Sequence, residues 1–367
     1  VLGLGASERP PVDPDEDRLL GLRPAGGAPG AARGALLAHG PESYQQIAGA
    51  GPKETLASVS CRRMRRRLAG PDLHLLAPRL KGLEADWRGL RLDSDPLLFP
   101  HRYERAADRE VVAFLSASLA FGRVASIRAS LERLLEPLGP WPAETMARGR
   151  ERPVGPDGFV HRWVDSGSLR PFLRAIGTTL ATEGSLAALF ASGDDGGEDF
   201  VPALDRFFSV LRKRAGASTE PLPRGLRFLL PSPGDGSASK RAHLFLRWVV
   251  RADGHDLGLW RGGAFRPARL LLPMDTHVHR ISRYLGLTAR PTPDLRAARE
   301  ATGWLARVDP EDPVRFDWAL SRLGILAECV RDPLRSRCGD CALRPACRVS
   351  RPGGRPPVPS RPTGARP

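Results

Sequence analysis

Four cysteines near the end of the sequence are spaced so that they could bind one metal centre. Cys329, Cys338, Cys341 and Cys347 follow the pattern C-x8-C-x2-C-x5-C. Sets of four cysteines hold both iron–sulfur clusters and structural zinc ions. Zinc sites usually show two C-x2-C pairs, whereas this chain has one such pair and two solitary cysteines. The spacing therefore favours an iron–sulfur cluster over zinc.

Lys240 is unusual because arginine supplies nearly all of the positive charge and lysine occurs at only four positions. It opens a stretch with helical apolar periodicity, for which Ser237 or Ser239 is the expected cap. In a first helical turn, the helix dipole and partial desolvation both disfavour an ammonium ion. A neutral amine is a nucleophile and an arginine is not, so Lys240 is a candidate nucleophile. The alternative is a surface lysine that binds phosphate.

Asp275 is the second candidate for chemistry. It follows an apolar run and Pro273 and precedes a helical pattern, the usual place of an N-cap. A carboxylate on the rim of a cleft can cap a helix and still stabilise positive charge that develops on a substrate. His277 and Arg280 follow at i and i+3 and should share one helix face. We expect them to pack together or to contact phosphate.

The elements around these residues read as helices, which predicts an all-α domain over residues 71–328 and a metal-binding loop over 329–349. Residues 1–70 and 350–367 are rich in Pro, Gly, Ala and Arg, which predicts disorder, or for 1–70 an over-extended gene start. The apolar periodicity predicts a helix from an N-cap at Asp108, a second helix up to Pro137, and further helices near 169–182, 201–214, 239–251, 276–285, 295–306 and 314–326.

The charge of the chain favours a polyanionic partner. Its formal net charge is +15 and its pI is about 10.8, which points first to nucleic acid. The competing explanation is the bias of a GC-rich genome, which over-uses Arg, Ala, Gly and Pro. No apolar run is long enough to span a bilayer and no hydrophobic signal core is present, so we expect a cytoplasmic protein.

Two of these signals, in this order, resemble the endonuclease III branch of the helix-hairpin-helix DNA glycosylases. There, a V-D-T-H-type segment precedes a C-x6-C-x2-C-x5-C cluster loop; here the first spacing is two residues longer and the last two match. The run Pro233-Gly234-Asp235-Gly236 is similar to their hairpin, although Asp235 replaces an apolar residue and Lys240 falls two residues late. The longer separation of Lys240 and Asp275 is similar to that in archaeal 8-oxoguanine glycosylases. Ser118 stands where endonuclease III has its DNA-inserting Gln.

The resemblance covers roughly residues 100–348, poorly over 140–225, and it implies a two-lobed helical glycosylase-like fold with a [4Fe–4S] cluster on the four cysteines. It implies removal of a damaged base from double-stranded DNA by a nucleoid-associated monomer. Lys240 would form a Schiff base at C1′, β-elimination would nick the strand, and Asp275 would stabilise the departing-base transition state. The DNA contacts that it implies are Gly234, Gly236, Arg241, His277, Arg280, Arg335 and Arg337.

Two other functions remain open at this point. One is a monofunctional glycosylase in which Asp275 activates water and Lys240 only binds phosphate. The other is a non-catalytic DNA- or RNA-binding protein that keeps the cluster as a structural staple. The segments Gly225–Arg227, Ser239–Arg241, Leu246–Trp248 and Asp275–Arg280 are also similar to a bacterial family described only as a domain of unknown function. Membership implies the glycosylase-like fold without an established substrate, because a fold does not confer an activity.

Overall fold

The computed structural model describes residues 70–88, 95–152, 155–216, 222–326, 328–332 and 335–349. This part of the chain is helical apart from one short β-hairpin, which confirms the all-α prediction. The terminal segments for which disorder was predicted lie outside the described residues, except for Gly70. The described helices include none that is long and apolar enough to cross a membrane.

The helices and strands occur in the following order along the chain. They are α1 (Leu73–Arg88), α2 (Ala106–Ser118), α3 (Val124–Leu135), α4 (Pro142–Arg148), β1 (Val160–His161), β2 (Val164–Asp165), α5 (Ser166–Glu183), α6 (Leu186–Ser192), α7 (Val201–Arg214), α8 (Arg224–Leu229), α9 (Lys240–Val250), α10 (Thr276–Leu285), α11 (Leu295–Ala306) and α12 (Asp317–Ile325). The strands pair antiparallel, with Val160 opposite Asp165. Short 3-10 turns include Pro233–Asp235 and Arg344–Ala346.

Periodicity predicted the helices that matter for the site and missed several others. The bounds of α7, α10 and α11 agree with the sequence pattern, whereas α1, α4, α6 and α8 were not predicted. Asp108 is not the N-cap of α2. It lies in the first turn of that helix, buried, and its Oδ1 accepts a hydrogen bond of 2.9 Å from the amide of Ala143 in α4. The carboxylate caps a neighbouring helix instead of its own.

The apolar side chains of the described residues form two large clusters. The first extends from Leu97 to Leu270 and also includes Val314; within it, Phe114 packs against Phe172, Phe207 and Phe245. The second joins α1 to apolar residues between Leu272 and Leu343. Helix α9 buries its apolar face in the first cluster, and α10 and α12 bury theirs in the second.

The start of α9 differs from the starts of its neighbours. Asp275 and Asp294 each accept a hydrogen bond of 2.8 Å from a backbone amide of the helix that follows, as N-caps do. Ser239 occupies the N-cap position of α9 with φ 40° and makes no cap hydrogen bond. Its Oγ is buried without a hydrogen-bond partner in the described part of the chain. The prediction that Ser237 or Ser239 caps this helix is therefore wrong, because the left-handed backbone turns the hydroxyl inwards.

Candidate active site and cysteine cavity

Lys240 and Asp275 meet, although 34 residues separate them in the sequence. The Nζ of Lys240 lies 3.6 Å from the Oδ2 of Asp275, and the two side chains are 32 % and 21 % exposed. The other oxygen of Asp275, Oδ1, accepts the amide of Val278 at 2.8 Å and caps α10. One carboxylate thus holds its helix and faces the amine, which is the dual role expected from the sequence.

The pair lies where the two apolar clusters adjoin. Lys240 is the first residue of α9, whose apolar side chains belong to the first cluster. Asp275 precedes α10, whose apolar side chains belong to the second. Both side chains keep part of their surface exposed, so a solvent-borne substrate can reach them. The contact joins a nucleophile-type side chain and a carboxylate across this seam.

A buried ion-pair network lies on the same seam, and the sequence analysis missed it. Arg247, two turns into α9, bonds Asp317 at the start of α12 and also Asp256, whose Oδ1 lies 3.0 Å from its Nη2. Arg251 bonds Asp256 and approaches Asp312 to 2.9 Å. Burial raises the pKa of Asp317 while the charge of Arg247 opposes the shift. The available signal was a pair of arginines at i and i+4 within the apolar run of α9.

The glycine turn before Lys240 is closed by hydrogen bonds within the protein. Gly234 donates its amide to Asp205 Oδ1 at 2.9 Å, and Gly236 donates to the carbonyl of Pro233 at 3.2 Å. The carboxylate of Asp205 is so close that a Cβ on Gly234 would lie 2.0 Å from its Oδ2. A phosphate at Gly234 would meet that negative charge. In this geometry the two glycine amides do not form the phosphate cradle that the resemblance implied.

Arg241 is engaged inside the protein and does not serve as a surface cation. Its Nη1 donates to the carbonyl of Ser118 at 2.7 Å and its Nη2 to the carbonyl of Phe228. The guanidinium stacks 3.6 Å from the centre of the Phe228 ring, and burial lowers its pKa to about 9. These contacts tie α9 to the end of α2 and to α8, and they give no support to a DNA contact by Arg241. Ser118, in the expected wedge position, is also buried.

His277 and Arg280 share one face of α10, as their spacing predicted. An Nη2 of Arg280 lies 3.3 Å from His277 Nδ1 and also donates to the carbonyl of Cys329. Burial lowers the pKa of His277. Arg280 therefore connects the helix that follows Asp275 to the first of the four cysteines.

The four cysteines line a single cavity of about 40 Å³. Tyr284, near the end of α10, and Arg344 line the same cavity, and the Tyr284 hydroxyl donates to the carbonyl of Arg331 at 3.0 Å. Helix α10 thus begins at Asp275 and ends beside the cysteines. Arg335 and Arg337 lie on the same loop with exposed side chains, where polyanion contacts remain a prediction.

The chemistry of this cavity fits a metal centre. Burial, and then the charges of neighbouring thiolates, raise the pKa values of Cys329 and Cys341, and burial raises that of Cys338. Thiolates at these positions therefore need a positively charged partner, which a metal centre supplies. Within the described ranges, no group of three or more His, Cys, Asp or Glu side chains is arranged to hold a metal ion. The iron–sulfur cluster stays a prediction.

One family profile, described as "Protein of unknown function (DUF2400)", matches residues 95–326. The chain belongs to this family. That membership confirms the similarity to a family of unknown function inferred from the sequence. Neither the curated proteins nor the solved structures contain a match to the chain.

The DUF2400 region contains Lys240, Asp275 and the buried partners Arg247 and Asp317. It ends three residues before Cys329, so the cysteine cavity lies just beyond the matched segment. The Lys–Asp pair is therefore a feature of the family region, and the cysteines are a feature of the segment that follows it.

Proposed function

We propose that this protein is a DNA base-excision glycosylase with AP-lyase activity and a helix-hairpin-helix glycosylase-like fold. The observation that carries the proposal is the approach of Lys240 Nζ to 3.6 Å from Asp275 Oδ2 at the seam between two apolar clusters. A nucleophile and a base within reach of each other are the minimum requirement for covalent catalysis. The basic charge of the chain and the exposed Arg335 and Arg337 add support for a nucleic-acid substrate.

The proposed reaction uses both side chains of the pair. The Lys240 ammonium first loses a proton, for which Asp275 Oδ2 is the nearest carboxylate oxygen. The amine then bonds to C1′ of an everted nucleotide while the glycosidic bond breaks, and the base leaves with the bonding electrons and takes up a proton. Sugar-ring opening gives a protonated imine. Loss of a C2′ proton then expels the 3′ phosphate and nicks the strand.

Asp275 has a second task in this reaction. As the base departs, the deoxyribose gains oxocarbenium character, and a fixed carboxylate nearby stabilises that charge. The hydrogen bond from Val278 holds the carboxylate in place before the substrate arrives. Such preorganisation makes the stabilisation effective, because no reorganisation is needed at the transition state.

We further propose a [4Fe–4S] cluster on Cys329, Cys338, Cys341 and Cys347. The support is the shared cavity, the all-thiol donor set and a spacing with only one C-x2-C pair. When bound, the cluster would cross-link the loop after α12. Within this chain, Arg280 and Tyr284 would then connect that loop to α10, because both donate to carbonyls of the loop. No catalytic step is assigned to the cluster.

The pair is tested by borohydride trapping on oligonucleotides that carry abasic sites and oxidised bases. We expect a covalent adduct with the parent protein and none with Lys240→Gln, because the reduced bond requires the Lys240 amine. Asp275→Asn keeps an N-cap, since Asn caps helices as well as Asp does, but removes the charge. We expect it to slow the reaction about a hundredfold or more. Lys213→Gln, at the exposed end of α7, is the matched control and should trap normally.

The outcomes separate the alternative functions. Trapping by Lys240→Gln at the parental level would assign the nucleophile to another amine. Base release that survives in Lys240→Arg without strand nicking would indicate a monofunctional glycosylase with water as the nucleophile. DNA binding without adduct or base release on any lesion would leave the non-catalytic binding protein.

A further inference from the structure

Three helices begin around the Lys–Asp pair, and each brings a charged side chain. Lys240 is the first residue of α9, Asp275 caps α10, and Asp317 is the first residue of α12. Helices α10 and α12 pack closely, because Gly324 of α12 leaves room for the side chain of His277. Asp317 is thereby fixed behind the pair, where the sequence alone indicated no functional role.

The carboxylate of Asp317 is satisfied on one side only. Its Oδ2 accepts a hydrogen bond from Arg247 Nη1, and its Oδ1 is buried with no hydrogen-bond partner among the residues described. The side chain is 4 % exposed. An unpaired buried acceptor costs about 1–3 kcal/mol, and such groups in native proteins call for an explanation.

The charges of the pair act on this carboxylate. Beyond burial and Arg247, the pKa of Asp317 is raised by the negative charge of Asp275 and lowered by the positive charge of Lys240. His277, on the other side, experiences the same two charges. The electrostatic surroundings of Lys240 therefore comprise Asp275 and His277 from α10, Asp317 from α12 and Arg247 from its own helix.

The buried network behind Lys240 is unbalanced. Two guanidiniums, Arg247 and Arg251, face four carboxylates, which are those of Asp253, Asp256, Asp312 and Asp317. Asp253 and Asp312 are partly exposed, so water screens them, but Asp256 and Asp317 are not. A network with excess negative charge stabilises a cation at its open end, and that end is the Asp317 oxygen without a partner.

We infer that Asp317 is a positioning residue for Lys240: its fixed negative charge holds the lysine as an ammonium beside Asp275 in the resting protein and stabilises the cationic imine formed by the same nitrogen. The first role concerns the protein without substrate. The second rests on the proposed function. Both predict that Lys240 releases its proton at lower pH when the charge of Asp317 is removed.

The test reads Lys240 directly, without any DNA. Purified full-length protein is labelled with acetic anhydride at a series of pH values, and the extent of Lys240 acylation is measured by peptide mass spectrometry. Replacement of the charge in Asp317→Asn or in the smaller Asp317→Ser should shift the midpoint of labelling to lower pH by about one unit. Asp317→Glu, which retains the charge, should restore the midpoint towards the parent.

The matched control is Asp256→Asn. Asp256 is as buried as Asp317 and bonds the same Arg247, but Lys240 and Asp275 are not among the main charges acting on it. Its replacement should destabilise the fold comparably and move the labelling midpoint much less. A midpoint unchanged in both uncharged Asp317 variants, or moved equally by Asp256→Asn, would overturn the inference.

The inference and the proposed function can fail separately. If no lesion is ever trapped but the labelling midpoint shifts as expected, the electrostatic role of Asp317 stands and the glycosylase proposal fails. If trapping depends on Lys240 while the midpoint does not respond to Asp317, the proposed function stands and the role of Asp317 is wrong.

Discussion

The two oxygens of Asp275 have different partners. Oδ1 caps α10 through Val278, and Oδ2 faces Lys240. The sequence predicted the cap because Asp precedes a helical pattern after a proline, a local signal. It did not predict the engagement of Arg241, since a guanidinium between two carbonyls and a phenyl ring depends on segments far apart in the chain.

His243 has the clearest pH-dependent role among the described histidines. It is buried in α9, both ring nitrogens lack hydrogen-bond partners in the described part of the protein, and burial lowers its pKa to about 4. Above pH 6.5 both folded and unfolded chains hold it neutral. Between pH 6.5 and 4 only the unfolded chain takes up the proton, so the free energy of unfolding should fall by about 3 kcal/mol.

This prediction is checked by urea unfolding of the parent and of His243→Leu between pH 7 and 4. The variant should lose less stability over this range than the parent does. His74→Leu, on the exposed surface of α1, serves as the control and should follow the parent. Equal pH dependence in the parent and in His243→Leu would contradict the assignment.

Helix α10 is the element on which the candidate site depends. It begins at Asp275, contacts α12 through His277, reaches the cysteine loop through Arg280 and ends with Tyr284 at the cysteine cavity. Its ten residues span about 15 Å, so one rigid element connects the Lys–Asp pair to the cysteines. A disturbance of its packing should therefore affect both places.

Gly324→Ala tests the packing of α10 on α12. A Cβ at this position would lie 2.5 Å from the Cβ of His277, so the helices must separate. Overpacking usually costs about 1–3 kcal/mol, and the better helix propensity of Ala offsets up to about 1 kcal/mol of that cost. We expect a lower melting temperature for Gly324→Ala. Gly303→Ala in α11, where nothing lies within 4 Å, should raise it.

The cysteine segment predicts a measurable metal content. Protein purified without oxygen should be brown and contain about four irons per chain. Cys338→Ser should lose most of the iron, since it removes one of the four donors that line the cavity. Cys61→Ser removes the fifth cysteine, which lies outside the described residues, and should retain it. Stoichiometric zinc without iron, from cells grown with ample iron, would contradict the cluster proposal.

The molecule as a whole combines two apolar clusters with a strongly basic surface composition. Lys240 with Asp275 and Arg247 with Asp317 each join an α9 side chain to one from the second cluster. Arrangements of this kind place reactive groups between packed bodies, where small-molecule and substrate sites commonly form. The net charge of +15 favours an anionic substrate at such a seam.

Binding to undamaged duplex DNA should be micromolar or weaker and should weaken steeply with added salt, because bound phosphates release counterions. The double change Arg335→Ala with Arg337→Ala should reduce the slope of log K against log salt by about one or two. Arg102→Ala is the control, since Arg102 is already paired with Glu132 at 2.8 Å. Binding that does not respond to salt, measured by fluorescence anisotropy, would exclude an electrostatic interface.

The sequence by itself determined the all-α class, the bounds of α7, α10 and α11, the cap at Asp275 and the candidate residues Lys240 and Cys329. These follow from local patterns: periodicity, capping and spacing act over a few residues. Only the tertiary structure decided that Lys240 faces Asp275, that Gly234 is closed by Asp205 and that Asp317 lies behind the pair. Such facts depend on packing between distant segments, which no local pattern encodes.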